Sequence, residues 1–206
     1  MTVTDADQPT VPADPAPVHE EAVAITPARR DDLAVIMELE RAGFATGEQW
    51  SERSWQAELV GDERRVLLAR THRVAGVISL RAGREAELLR LVVAPWARRH
   101  GIGAALVRAG VEAVGHAGAR AVLLEVRWDN EPAIALYQRL GFEQLAARRD
   151  YYGPGLDALI LKLWSLDDLG KGWRDQILDE QADQHHDEHH DMHHHEQHDE
   201  QGRDDR

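Results

Sequence analysis

Three short stretches concentrate the residue types able to bind an anion or move a proton: PWARRHGIGAAL (Pro95–Leu106), AVLLEVR (Ala121–Arg127) and NEPAIALYQRLGF (Asn130–Phe142). In the first, Gly101 and Gly103 let the backbone turn tightly between a β-prone run and a helical pattern. The first N–H groups and the dipole of such a helix attract phosphate, and Arg98 and Arg99 add positive charge. The plainer reading is a tight turn and nothing more. A dinucleotide loop is disfavoured, because Leu106 stands where a third glycine belongs and several antiparallel strands come first. A P-loop is excluded by the missing Lys-Ser or Lys-Thr.

In the second stretch, alternation puts Leu123, Glu125 and Arg127 on one face and Val122, Leu124 and Val126 on the other. A partly buried Glu125 reads either as a proton acceptor or as an ion pair with Arg127, and the residues alone leave both open. In the third, Asn130 suits a helix N-cap and Pro132 is tolerated in the first turn. Tyr137 is either a phenol that is protonated at neutral pH and can give up its proton, or a core aromatic beside Ile134 and Leu136.

The elements that must position these residues follow from periodicity. VAITPARRDDLAVIMELERAG reads as a strand running into a helix. Pro27 falls near the helix start, Asp31 and Asp32 lie at the positive end of the dipole, and Leu33, Ile36, Met37 and Leu39 form an apolar face. SERSWQAEL predicts a second helix, with Ser51 placed to cap at Ser54. RRVLLAR, RVAGVISLRAG and EAELLRLVVAP predict three successive strands. The glycine loop then opens a helix whose buried face is expected to carry Ala105, Leu106, Ala109 and Ala113. AVLLEVR, NEPAIALYQRLG, FEQLAARRDYY and DALILKLW complete the order β-α-α-β-β-β-α-β-α-β-β. The fold class is α/β: a mixed central sheet with antiparallel N-terminal strands and one β-α-β crossover, flanked by helices.

At these residues the chain resembles a known family. LLRLVVAPWARRHGIGAAL is similar to the acetyl-CoA-binding motif of the GNAT N-acetyltransferases, Arg/Gln-x-x-Gly-x-Gly/Ala, through Arg98, Gly101 and Gly103. LEVRWDNEPAIALYQRLGF and RRDYY together resemble the RimI-type ribosomal-protein-alanine N-acetyltransferases, and the likeness spans roughly residues 22–164. The resemblance implies a GNAT fold and acetyl-CoA as cosubstrate. Its pyrophosphate would lie at Arg98, Arg99, His100, Gly101, Ile102, Gly103 and Ala104, its pantetheine arm along the backbone of Leu91, Val92 and Val93, and Asn130 would add a hydrogen bond. It implies Glu125 as base, directly or through water, and Tyr137 as acid. Arg149, Tyr151, Tyr152 and Trp50 would lie near the acceptor. The implied acceptor is the N-terminal α-amine of a protein, with the N-terminal alanine of a small-subunit ribosomal protein as the type case. Lysine side chains or a small amine are the alternative. The chain departs from the family pattern between its first two helices, reading GFATGEQWSERSW where members often carry F-P-W-S.

With no cysteine among 206 residues, transfer is expected to be direct from thioester to amine, and disulfide and Cys-zinc scaffolds are excluded. The formal charge of −13 belongs to the ends. Residues 1–28 carry five acids and no Lys or Arg, residues 167–206 carry 14 acids against 4 bases, and the remainder holds 20 bases against 18 acids. The expected organisation is a Pro- and acid-rich arm over 1–21, one acetyltransferase domain over 22–166 and a low-complexity acidic tail over 167–206. The tail holds eight of the 12 histidines, with His185, His186, His189, His190, His193 and His194 recurring every four residues. These read as an adventitious metal-binding stripe at most, and no dedicated metal site is expected. An interaction or metal-buffering role, with the domain as mere scaffold, is the reading from another class. Nothing points to nucleic acid or membrane, and a cytoplasmic location is expected.

Overall fold

The β-prone runs pair into one seven-stranded sheet with the order β1-β2-β3-β4-β5-β7-β6, in a computed structural model that describes residues 22–164 and Leu166. The strands are β1 (Ala24–Pro27), β2 (Arg64–Arg70), β3 (Val74–Arg81), β4 (Glu85–Val93), β5 (Ala121–Arg127), β6 (Glu143–Arg148) and β7 (Ala158–Leu163). The helices are α1 (Leu33–Gly43), α2 (Glu52–Val60), α3 (Ile102–His116) and α4 (Glu131–Arg139). The element order is the one the sequence predicts, with single 3-10 turns added at Arg30–Asp32, Thr46–Glu48 and Pro95–Ala97. Residues 1–21 and 167–206, including the six stripe histidines, lie outside the described residues.

β1 to β4 form an antiparallel meander, β4 and β5 pair in parallel across α3, and β7 lies antiparallel between β5 and β6. Both faces are covered, which is why β3 is buried along nearly its whole length. A Cβ on Gly76 would meet Leu106 Cδ1 at 3.0 Å and one on Gly110 would meet Leu80 Cδ1 at 2.6 Å, so the Gly76–Ile78–Leu80 face carries α3. The opposite face takes α1 and α2: Ser79 Oγ donates to Glu58 at 2.7 Å, and Gly43 closes against Val92. Each fully buried aliphatic of this core contributes roughly 1.5–3 kcal/mol by leaving water.

Three local expectations shift. Pro27 closes β1 at the sheet edge instead of opening the helix, since an edge strand tolerates a residue without an N–H. The buried face of α3 is Ile102, Leu106, Val107, Gly110, Val111 and Val114, so of the expected set only Leu106 is fully buried. The larger side chains turn inwards, and Ala105, Ala109 and Ala113 flank them. On α1, Ile36 and Leu39 are buried as expected, but so is Glu40.

Candidate active site

A bulge in β4 opens the site. β3 and β4 pair Ser79 with Arg90 and Leu80 with Leu88, leaving Leu89 as the extra residue. A bulge bends its strand and raises the local twist. The parallel pairing with β5 accordingly ends at Leu88 and Leu124, and Arg90–Val93 run on paired only to β3. The two strands therefore splay from that point. Leu91, Val92 and Val93 turn a strand edge towards the gap, the setting in which an extended chain can add as a further strand.

At the end of β4 the glycine loop turns sharply into an uncapped helix start. Arg99 (φ 65°) and Gly101 (φ 71°) are both left-handed, which bends the chain sharply into α3. Gly101 is the N-cap and has no side chain to offer the first helical N–H groups, so those of Ile102, Gly103 and Ala104 have no side-chain cap. A Cβ at Gly101 would meet nothing within 4 Å, so space lies open beside it. Gly103 has another reason: a Cβ there would stand 3.2 Å from Leu136 Cδ2, so its absence lets α3 approach α4. Arg98 Nε donates to Val93 O at 3.2 Å, tying the arginine to the strand end, and His100 Nδ1 lies 2.8 Å from Arg98 O. This geometry suits a pyrophosphate at the helix start and an extended arm along β4.

Glu125 lies on the sheet face that carries α1 and α2, with its side chain 29% exposed. The alternation of β5 is as the sequence predicts, with Val122, Leu124 and Val126 buried on the other face. Its ion-pair partner is Arg148, 2.6 Å away, and not Arg127. Tyr151 also donates to Glu125. That hydrogen bond and the carboxylate charge, with some burial, raise the Tyr151 phenol above its ordinary value, while Arg148 works the other way. The β6–β7 connection that follows Arg148 and carries Tyr151 and Tyr152 is pinned by its own turn. Asp150 N donates to Asp157 Oδ1 at 2.9 Å, Gly155 N donates to Asp150 Oδ1, and Trp128 Nε1 donates to Gly155 O at 3.2 Å.

Tyr137 is buried and tilts against Phe142, with ring centroids 5.6 Å apart. Asn130 caps α4 as expected, its Oδ1 accepting from Ala133 N at 3.3 Å. Burial pushes the Tyr137 phenol well above its ordinary value, with a smaller push from Tyr152. Tyr152 is itself raised, chiefly by burial and then by Glu125 and Tyr151, with Arg90 and Arg127 opposing. Glu125 thus acts on Tyr152 and Tyr152 on Tyr137, so one connection carries charge effects from the candidate base towards the candidate acid.

The Acetyltransferase (GNAT) family profile matches residues 19–142, more than half of the chain. The chain belongs to the GNAT acetyltransferase family. Members are acyltransferases that use acetyl-CoA. Over 149 residues the chain is 33% identical to the N-alpha-acetyltransferase RimI of Mycobacterium tuberculosis, a match covering 69% of this chain and 92% of that one. An N-alpha-acetyltransferase of Sulfurisphaera tokodaii is 46% identical over 65 residues, 31% of this chain and 39% of that protein, so the chain spans well under half of this relative. The crystal structure of the ribosomal-protein-S18-alanine N-acetyltransferase from Escherichia coli superposes with a TM-score of 0.64 at 28% identity, covering 70% of this chain and 94% of that chain.

Within this GNAT domain, the expected acceptor residues fall unevenly. Tyr151 and Tyr152 stack edge to face, with centroids 5.0 Å apart, and belong to the Glu125 neighbourhood. Arg149 is exposed beside them in sequence and is not tied into that network. Trp50 is half-buried: its N–H donates to Glu40 Oε1 at 2.8 Å and its ring tilts against Trp55. Three charged residues, Glu40, Arg90 and Glu48, escaped the sequence reading, and Arg127 entered it only as a partner of Glu125. Glu40, fully buried, also accepts from Trp55 Nε1 at 3.3 Å and pairs with Arg90. The Arg90 guanidinium stacks over Phe44, 3.4 Å from the ring centroid, and donates to Glu48 O at 2.8 Å. Arg127 pairs with Glu48 and with Asp129. One of these had a signal: Glu40 lies one helical turn after Ile36, so a charge falls on the apolar stripe of α1. Among the described residues, no group of three or more His, Asp or Glu could hold a metal ion, and no helix is long and apolar enough to cross a membrane.

Proposed function

We propose that this GNAT enzyme transfers the acetyl group of acetyl-CoA to the N-terminal α-amine of a protein, with the N-terminal alanine of a small-subunit ribosomal protein as the leading acceptor. The observation that carries this reading is the pairing of an anion cradle and splayed strands with a half-buried Glu125 on the face opposite α3. The relatives named above, two N-alpha-acetyltransferases and an S18-alanine N-acetyltransferase, support the choice of an α-amine. The 22–166 domain would act as one unit, with the arm and the tail outside the chemistry.

Bound acetyl-CoA supplies the activated thioester. The N–H groups at Gly101–Ala104, with Arg98 and Arg99, hold its pyrophosphate, and the edge of Leu91–Val93 aligns its arm. An α-amine titrates near 8, so only about one in ten is neutral at pH 7 and a base is needed. Glu125 accepts the ammonium proton. The freed lone pair forms the N–C bond as the C–S bond breaks, and the Tyr137 hydroxyl gives its proton to the departing sulfur. The second proton, shed by the new amide nitrogen, restores the Tyr137 phenol, so that the net proton released is the one on Glu125. With no cysteine in the chain, no acyl-enzyme on sulfur intervenes.

The test is release of free coenzyme A in the presence of peptides beginning Ala, Ser, Met or acetyl-Ala, with a lysine peptide and a polyamine alongside. Turnover on free Ala termini and none on acetyl-Ala is the expected result. Turnover on the amine or lysine alone would retain the cofactor and remove the α-amine acceptor.

A further inference from the structure

Glu48 stands over the gap between the two splayed strands and is gripped from both sides. Arg90, on β4 beyond the bulge, donates to its backbone oxygen at 2.8 Å. Arg127, on β5 beyond the last β4–β5 pair, holds its carboxylate through Nη1 at 2.5 Å. Where the sheet's own hydrogen bonds stop joining β4 to β5, this one residue of the α1–α2 connection joins them again. The grip is oriented at each end. Arg127 is steadied by Asp129, 2.6 Å from its Nε, and Arg90 by the buried Glu40 and the Phe44 ring. Neighbouring residues are fixed too: Gln49 Nε2 donates to Phe44 O at 2.9 Å and Trp50 N donates to Glu40.

Glu125 and Arg127 share one face of β5, two residues apart, so the Arg127 end of the bridge lies beside Glu125. Arg148, which precedes the Tyr151–Tyr152 connection, pairs with Glu125 from the side of β6. We propose that Glu48 and Arg127 form a clasp that fixes the α1–α2 connection across the splay, and that this clasp is a specificity-determining device for the acceptor. It rests on the acceptor lying beside Glu125, as read above. Both are positioning residues and take no part in the proton transfers. A tethered bridge gives the acceptor's first side chain a wall at a fixed distance, and a loosened one lets the wall yield. The pair is half-exposed, 37% for Arg127 and 48% for Glu48, so its effect is modest and electrostatic screening weakens it.

The experiment is a double-mutant cycle of Glu48→Gln and Arg127→Gln. It is read by steady-state kinetics with Ala- and Leu-initiated peptides and by amide exchange of peptides covering 44–50. Each single variant is expected to raise the acceptor KM about fivefold or less and to narrow the Ala-to-Leu preference, with the KM for acetyl-CoA unchanged. The double variant should be no worse than either single one. Exchange over 44–50 should quicken in all three, and Arg127→Lys should recover part of the loss. Additive effects, unchanged exchange or an equal rise in the acetyl-CoA KM would overturn the clasp. If wild type turns over no peptide, the acceptor reading fails instead, while the exchange data still judge whether the clasp holds the connection.

Discussion

The carboxylate of Glu125 on β5 and the guanidinium of Arg148 on β6 lie 2.6 Å apart across the intervening strand β7. The contact is asymmetric: Arg148 is 56% exposed and Glu125 29%, so the acid is held from the open side. Under the proposed mechanism, an acceptor ammonium would meet a carboxylate already kept in place by a cation and by the Tyr151 hydroxyl. The partner does not disqualify Glu125 as a base, because Arg148 occupies one of its two oxygens and itself reaches solvent. A fully enclosed ion pair would have argued for structure alone.

If Glu125 is the base, Glu125→Gln keeps the size of the side chain and one acceptor oxygen, and removes the negative charge together with the proton affinity. It is expected to lower kcat on Ala-initiated peptides by about 10²–10⁴-fold, with acetyl-CoA binding intact. Coenzyme A release and isothermal titration with acetyl-CoA measure the two halves. A loss under tenfold with intact folding would return Glu125 to the role of Arg148's partner.

The same substitution has a second signature. Tyr151 titrates above its ordinary value of 10.0 chiefly because it donates to a charged Glu125. A phenolate beside a carboxylate is disfavoured, so removing that charge should lower the Tyr151 pKa towards 10. Site-labelled NMR of Tyr151 across alkaline pH, in wild type and Glu125→Gln, checks the direction.

Tyr137 offers a pH test of its burial. Its phenol is raised in the folded state, so between the unfolded value of 10.0 and the folded one the native state holds a proton the unfolded chain has lost. This contribution to stability is therefore fully present below pH 10 and is lost as pH rises through the folded pKa. Tyr137→Phe removes it, and wild type should lose more stability than the variant above pH 10. Urea denaturation at several alkaline pH values measures the difference, and turnover near pH 7 reports the acid role separately, with an expected fall of about 10²-fold or more in kcat.

The legible parts of this fold were those written locally. The strand and helix order, the Ser51 and Asn130 caps and the two faces of β5 follow from residue type and period, and all are found where expected. The tight glycine turn into α3 was legible because glycine at a left-handed position before a helix has a sequence signature. What escaped depends on distant pairings. Arg127 had Glu125 two positions away as an obvious partner, yet it binds Glu48, 79 residues earlier in the chain. No local pattern encodes that choice, which the bulge at Leu89 and the path of the α1–α2 connection decide together.

Glu40 is a costly position to change outside the chemistry. Its carboxylate is fully buried and accepts from Arg90, Trp50 N and Trp55 Nε1. Glu40→Ala would leave a cation that is 13% exposed without its anion, and two N–H groups without an acceptor. Breaking a buried pair from one side typically costs about 3–5 kcal/mol, most of it the uncompensated charge. Glu40→Gln, which keeps one acceptor oxygen, should cost less. The double variant Glu40→Ala/Arg90→Met removes the stranded cation while keeping an unbranched side chain over Phe44, and should recover part of the loss. Urea denaturation of the three variants decides the cause. Recovery in the double variant assigns the penalty to the orphaned guanidinium, whereas equal destabilisation would assign it to the lost tryptophan hydrogen bonds and the cavity left in α1.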